Sequence, residues 1–140
     1  KGYYRKPEET RRVIDPQGWF SSGDIGRLDA DGFLSITGRA KDMLIIGGEN
    51  VFPREIESVL EMHESVLQAA VIGVPDGLRG EVPVAFVIVQ KDAAVTADEL
   101  RNFARRSLAG FKTPKRIEIR EDLPTGPTGK ILKRKLRDML

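Results

Sequence analysis

Three side chains stand where their types and surroundings could handle a phosphate ester. Asp24 follows a glycine in "SSGDIG", just ahead of a strand-like run. A short carboxylate fixed by such a turn can accept two hydrogen bonds from a vicinal diol, as acidic residues do at ribose hydroxyls; an Asx-turn accounts for the same pattern. Arg39, in "GRAKD", has the guanidinium fork that matches nucleotide oxygens, and a surface ion pair with a neighbour such as Asp42 is its plainer reading. Lys130 closes the glycine- and proline-rich "PTGPTGK". Its ammonium is a compact charge with three donors, suited to a phosphate or carboxylate whose charge is changing. An ordinary strand-to-helix loop with an exposed lysine fits that phrase equally well.

Other chemistries are poorly served. The one histidine, His63, lies near a predicted helix end with no nucleophile or base beside it in sequence, which suits a surface position better than a catalytic one. There is no cysteine, so disulfides and thiolate metal sites are excluded, and one His leaves no His/Cys zinc site. No metal-ligand set is assigned. No serine nucleophile elbow is present. "GLRGEV" and "GGEN" lack the spaced glycines followed by Lys and Ser/Thr of a phosphate loop.

The 140 residues suffice for a modest core, and 40% hydrophobic with 31% charged residues is a globular composition. No apolar run reaches the roughly 20 residues of a membrane-spanning helix, and the start has no signal-peptide pattern. Lack of cysteine fits a reducing, cytoplasmic setting. The opening at Lys1, inside a polar and aromatic phrase, reads as part of a longer chain. Net charge is only +2, yet nine basic residues and three acidic ones lie between 112 and 137. Such an end points to an anionic partner or to a solvated helix face.

These side chains need elements to position them. Residues 1–19 show no helical or strand period and read as irregular. "IGRLDADGFLSITG" reads as a β-hairpin, with strands at 25–28 and 33–37 and a turn through the Asp-Gly pair. Residues 43–46 form a short strand broken by Gly47 and Gly48. Pro53 starts a helix with Ile56, Val59, Leu60 and His63 at helical spacing. "SVLQAAVIGVPD" and "VPVAFVIVQ" are strands rich in β-branched residues. Thr96 and Glu99 form a capping box for a helix that Gly110 stops. "RIEIR" is a strand, and 131–140 a basic helix with Ile131, Leu132, Leu136 and Leu140 inward. From residue 43 the order is strand, helix, strand, strand, helix, strand, helix: an α+β fold with helices packed on a small mixed sheet, preceded by the hairpin.

Taken in order, "GWFSSGD", "GRAKDMLIIGGENVFPREIE" and "LPTGPTGKILKRKLR" resemble the carboxy-terminal end of the acyl-CoA synthetases. These belong to the adenylate-forming superfamily, with nonribosomal peptide synthetase adenylation domains and beetle luciferases. The resemblance spans essentially the whole chain. It implies that residues 1–38 are the end of a large amino-terminal domain with its connecting hairpin, and 39–140 a small mobile carboxy-terminal domain. It also implies activation of a carboxylic acid by ATP to an acyl-adenylate and pyrophosphate, then transfer to coenzyme A with release of AMP. By the same resemblance, Asp24 binds the ribose hydroxyls, Arg39 contacts the nucleotide, and Lys130 reaches the carboxylate and α-phosphate. Lys41 occupies the hinge position, and Gly47, Gly48 and Glu49 line the pantetheine tunnel after rotation. Asn50 stands where some members carry an arginine.

The family's phosphate loop, acyl pocket and adenine shelf belong to the large domain. The 140-residue chain alone is therefore expected to be inactive, and Mg²⁺ to be bound mainly by the missing domain. The expected partners are that domain, ATP, the carboxylic acid and coenzyme A. "GGENVFPREIE" and "GKILKRKLRD" look most like fatty-acyl or aryl-acyl CoA ligases, so a fatty acid is the expected substrate. An aryl-CoA ligase or a carrier-protein adenylation domain is the alternative. A basic nucleic-acid-binding module is a remote one, because the chain has too few aromatics for a stacking platform.

Overall fold

Two unbroken apolar runs, rather than alternating ones, build the centre of the fold. The computed structural model describes residues 1–140, and its contacts divide the chain into Lys1–Lys41 and Asp42–Leu140.

In the larger unit the elements are β3 (Leu44–Ile46), β4 (Glu49–Val51), α2 (Pro53–Glu61), β5 (Val66–Asp76), β6 (Gly80–Val89), α3 (Ala97–Ser107), β7 (Arg116–Arg120) and α4 (Lys133–Arg137). The sheet order is β4-β3-β6-β5, and β7 joins β6 in parallel. Successive strand residues face opposite sides. Val71, Ala85 and Val87 therefore pack with Ile56, Leu60, Leu100 and Ala104 of α2 and α3, while Ile72, Val84 and Phe86 pack with Leu123 and with Leu136 of α4. Both faces of β5 and β6 are covered, which is why their sequences run apolar without alternation.

Pro83 interrupts neither strand pairing nor burial. β3 meets β6 only at Gly80, and β7 begins pairing at Val84. The proline sits in the gap, where its missing N–H leaves no ladder bond unmade, and its carbonyl accepts from Lys115 N at 2.8 Å.

The fold is α+β with a mixed sheet and a preceding hairpin, as expected, but three elements of the larger unit differ. β4 was not foreseen. It arises because Gly47 and Gly48 form a two-residue hairpin turn that returns the chain onto β3, with Ile46 opposite Glu49. The helix α3 ends at Ser107, three residues before Gly110, because Leu108 turns extended (φ −110°, ψ 145°) and is buried. The basic helix is only Lys133–Arg137, because Ile131 is taken by a bridge to Thr125. Leu136 is its buried residue, whereas Leu140 is half exposed.

The smaller unit contains α1 (Pro7–Val13), β1 (Asp24–Leu28) and β2 (Leu34–Arg39). Residues 1–19 are thus not wholly irregular. Pro7 at the first turn, Glu8 and Glu9 after it, and Arg11 and Arg12 in the last turn all complement the helix dipole. The hairpin turn is held by Asp29, whose Oδ1 accepts from Asp31 N and Phe33 N. No residue of this unit is buried. Ala40 N donates to Gly23 O at 3.0 Å, keeping the segment after β2 with the hairpin, and the chain passes from one unit to the other between Lys41 and Asp42. No helix of the chain is long and apolar enough to cross a membrane.

Candidate functional site

Asp24 and Arg39 are the first and last residues of the β1–β2 hairpin and lie directly opposite each other. Cross-strand partners share a face, and Arg39 Nε donates to Asp24 Oδ1 at 3.0 Å. A register shift between Ile25 and Gly26 makes this possible. The bulge re-aims the open end of the hairpin relative to its turn end. The approach to Asp24 is fixed by Ser22, whose hydroxyl accepts from Asp24 N at 3.1 Å. Arg39 does form an ion pair, with Asp24 rather than Asp42. One guanidinium and one carboxylate thus sit side by side, both partly exposed, with donors and acceptors to spare.

Gly47 and Gly48 have φ of +60° and +88°, the pair of positive values that a type I′ hairpin turn requires and that a Cβ disfavours. A Cβ added at either position would meet no atom of the chain within 4 Å. The bare tip therefore projects into open space, with Glu49 exposed beside it. Gly47 N donates to Arg79 O at 2.8 Å, tying the tip to the β5–β6 turn.

Lys130 lies within a third, smaller hairpin. Gly126 N donates to Lys130 O at 2.8 Å, Leu132 N donates to Pro124 O at 2.8 Å, and Thr125 bridges to Ile131. The backbone is braced while the side chain is exposed and enters none of the chain's salt bridges. Lys41 is exposed in the 3-10 turn Ala40–Asp42, at the junction of the two units. His63 closes α2 locally: its Nδ1 accepts from Ser65 N, and its ring meets Phe103 edge-on at 4.9 Å.

Two features had no part in the sequence reading. Glu57 lies on the inward stripe of α2 with Pro53, Ile56 and Leu60, and it is the one buried charged residue of the chain. An acid at an apolar position of the helical period was the available signal. A cavity of about 410 Å³, lined by Asp76, Leu78, Arg79, Phe111 and Lys115 among others, opens beside the Gly47 tip. No local sequence signal joins residues 76–83 to 111–115, because the parallel pairing of β7 with β6 makes that contact.

Asp76 carries the clearest electrostatic signature. Its carboxylate accepts from Lys115 Nζ at 2.8 Å and from Leu78 N and Arg79 N at 3.1 Å each. These bonds, Lys115 first, lower its pKa from 3.8 to about 2. A depressed carboxylate contributes stability that is fully present above its unfolded pKa and lost as pH falls through its folded one. Asp76→Asn is therefore expected to lower the urea midpoint at neutral pH. The gap from the parent chain should close as pH falls from 3.8 towards about 2. A gap that stays constant over that window would contradict the assignment.

Comparison with known proteins gives the family. The family model described as the AMP-binding enzyme C-terminal domain matches residues 55–130. A long-chain-fatty-acid–CoA ligase of Salmonella typhimurium is 49% identical over 137 residues, covering 98% of this chain and 24% of that protein. A sulfoacetate–CoA ligase of Cupriavidus necator is 44% identical, covering 96% of this chain and 26% of its own. The crystal structure of ATP-bound MatB from Rhodopseudomonas palustris superposes with a TM-score of 0.89 at 40% identity, over 99% of this chain and 28% of that one. The chain thus spans about a quarter of the length of the curated relatives it matches. Both units are included in that span, and the chain belongs to the AMP-binding enzyme C-terminal domain family of adenylate-forming enzymes.

Proposed function

We propose that this chain is the carboxy-terminal part of an ATP-dependent acyl-CoA ligase. In the first half-reaction a carboxylate oxygen attacks the α-phosphorus of ATP, and pyrophosphate leaves. In the second, the coenzyme A sulfur attacks the acyl carbon and AMP leaves. The observation that carries the reading is Lys130: an uncommitted ammonium on a braced hairpin. A placed cation stabilises the negative charge that develops on the phosphoryl oxygens.

Asp24 holds the ribose diol and Arg39 the nucleotide, a division that their side-by-side geometry supports. Lys41 is the pivot. Support comes from its position at the junction of the units, since hinge residues are element ends that absorb backbone rotation. The Gly47–Gly48 tip faces the pantetheine arm, and its open surroundings support that use. Beside it, Arg79, Lys115 and Phe111 offer cations and an aromatic face to the anionic nucleotide end of coenzyme A.

The acid is fatty by the first relatives, but the sulfoacetate ligase shares nearly as much of this sequence. The acyl pocket therefore lies outside these residues. The partners are the preceding large domain and the three substrates, and the reaction belongs in the cytoplasm, where ATP and coenzyme A are held.

The test is product identity. The full-length protein, given ATP and a panel of carboxylic acids, should release pyrophosphate before coenzyme A is added and AMP only afterwards. Release of ADP and phosphate would overturn the reading.

A further inference from the structure

We infer that Glu57 and Lys133 form a clamp that positions Lys130. This rests on the ligase reading above, in which Lys130 acts in adenylate formation. Glu57 is 6% exposed, and its Oε1 accepts from Val71 N at 2.9 Å and from Lys133 Nζ at 2.6 Å. β5 is the edge strand of the sheet, with only β6 beside it, so Val71 N is an edge donor that needs a partner. Glu57 supplies it from α2, on one face of the sheet. Lys133 arrives from α4, whose Leu136 packs on the opposite face. One carboxylate thus joins the two layers around the free edge.

Lys133 is three residues after Lys130 and is the first residue of α4. A helix of five residues is not stable by itself, and α4 has Leu136 as its one buried side chain. Glu57 is therefore the second fixed point that α4 needs. The strand of the Lys130 hairpin that carries Ile131 and Leu132 runs directly into Lys133. The Thr125–Ile131 bridge and the bond from Leu132 N to Pro124 O hold the two strands of the hairpin to each other, and Lys133 anchors the outgoing strand to Glu57; releasing Lys133 removes that anchor. The ammonium of Lys130 then samples positions away from the phosphoryl group, and small displacements of a catalytic group are expensive in rate.

The test uses the full-length protein and three variants, with adenylate formation read by pyrophosphate exchange and thioester formation read from supplied acyl-adenylate. Lys133→Met should lower kcat of pyrophosphate exchange about tenfold or more, with KM for ATP and the thioester step little changed. Lys133→Arg, which can still reach the carboxylate, should recover most of the loss. Glu57→Gln keeps an acceptor for Val71 N but removes the charge, and should show the same split in milder form. Hydrogen exchange at the amides of Gly126 and Leu132 should speed up in Lys133→Met.

An equal fall in both half-reactions, or exchange activity within about twofold of the parent in a folded Lys133→Met, would overturn the clamp. Lys130→Ala in the same assays separates the two levels. If it lowers exchange and Lys133→Met does not, the clamp alone fails. If Lys130→Ala itself leaves exchange intact, the ligase role of Lys130 fails and the clamp falls with it.

Discussion

Lys130→Ala in the full-length protein is expected to lower adenylate formation about 10²–10³-fold, the range seen when one preorganised donor to a developing oxyanion is removed. Thioester formation from supplied acyl-adenylate should change by less than about twofold. The asymmetry follows from the proposed pivot at Lys41: once residues 42–140 have turned about it and presented their other face, Lys130 no longer attends the reaction. The structure adds a reason to expect a clean result. The side chain contributes to no salt bridge and is exposed, so truncating it removes no contact that holds the fold. The bonds from Gly126 N to Lys130 O and from Leu132 N to Pro124 O are backbone bonds and survive the substitution. Pyrophosphate exchange and single-turnover thioesterification measure the two steps separately. Equal loss in both would mean that the lysine stays in place throughout, and the two-position reading of the chain would have to be abandoned.

Where local chemistry dictates structure, the sequence was readable. The Asp-Gly turn, the Thr96–Glu99 capping box and the β-branched runs each specify their element through short-range physics, and each is present; Glu99 N donates to Thr96 Oγ1 and Thr96 N to Glu99 Oε2. The Glu99 carboxylate accepts from Thr96 N and from the Thr96 hydroxyl, and these two bonds hold its pKa below the ordinary value. The two glycines after Ile46 were read as a break, although two consecutive glycines after a strand also suit a I′ turn. That turn, not the break, makes β4. Long-range pairing was less readable. Nothing near Asp24 announces Arg39, fifteen residues on, as its partner, because the register shift between Ile25 and Gly26 decides which residues of the two strands face each other. Glu57 is a third kind of case. Its place in the helical period was a signal that went unread, and its reason for being buried lies in Lys133 and in an edge N–H of β5. A buried charge is tolerated where its partners are present, and those partners come from elements that only the fold brings together.

Gly48→Leu is expected to slow the coenzyme A step on the order of 10²-fold, the scale of a blocked or misplaced approach, while sparing pyrophosphate release. Two separate effects have to be told apart. Gly48 has φ +88°, so any L-residue there carries strain of about 1–2 kcal/mol from Cβ against the backbone. Its Cβ would meet nothing within 4 Å in this chain, so intramolecular crowding adds nothing. Strain would act on the β3–β4 turn and hence on stability; obstruction would act on the thiol substrate. Asn is the control, because its short polar side chain tolerates a positive φ. Gly48→Asn should melt close to the parent, yet still place side-chain atoms in the proposed path of the pantetheine arm. If the tip lines that path, Asn and Leu both impair thioesterification, Leu more, and KM for coenzyme A rises in both. If Asn restores full thioester activity while Leu does not, the glycine serves only the I′ turn, and the tip has no contact with coenzyme A.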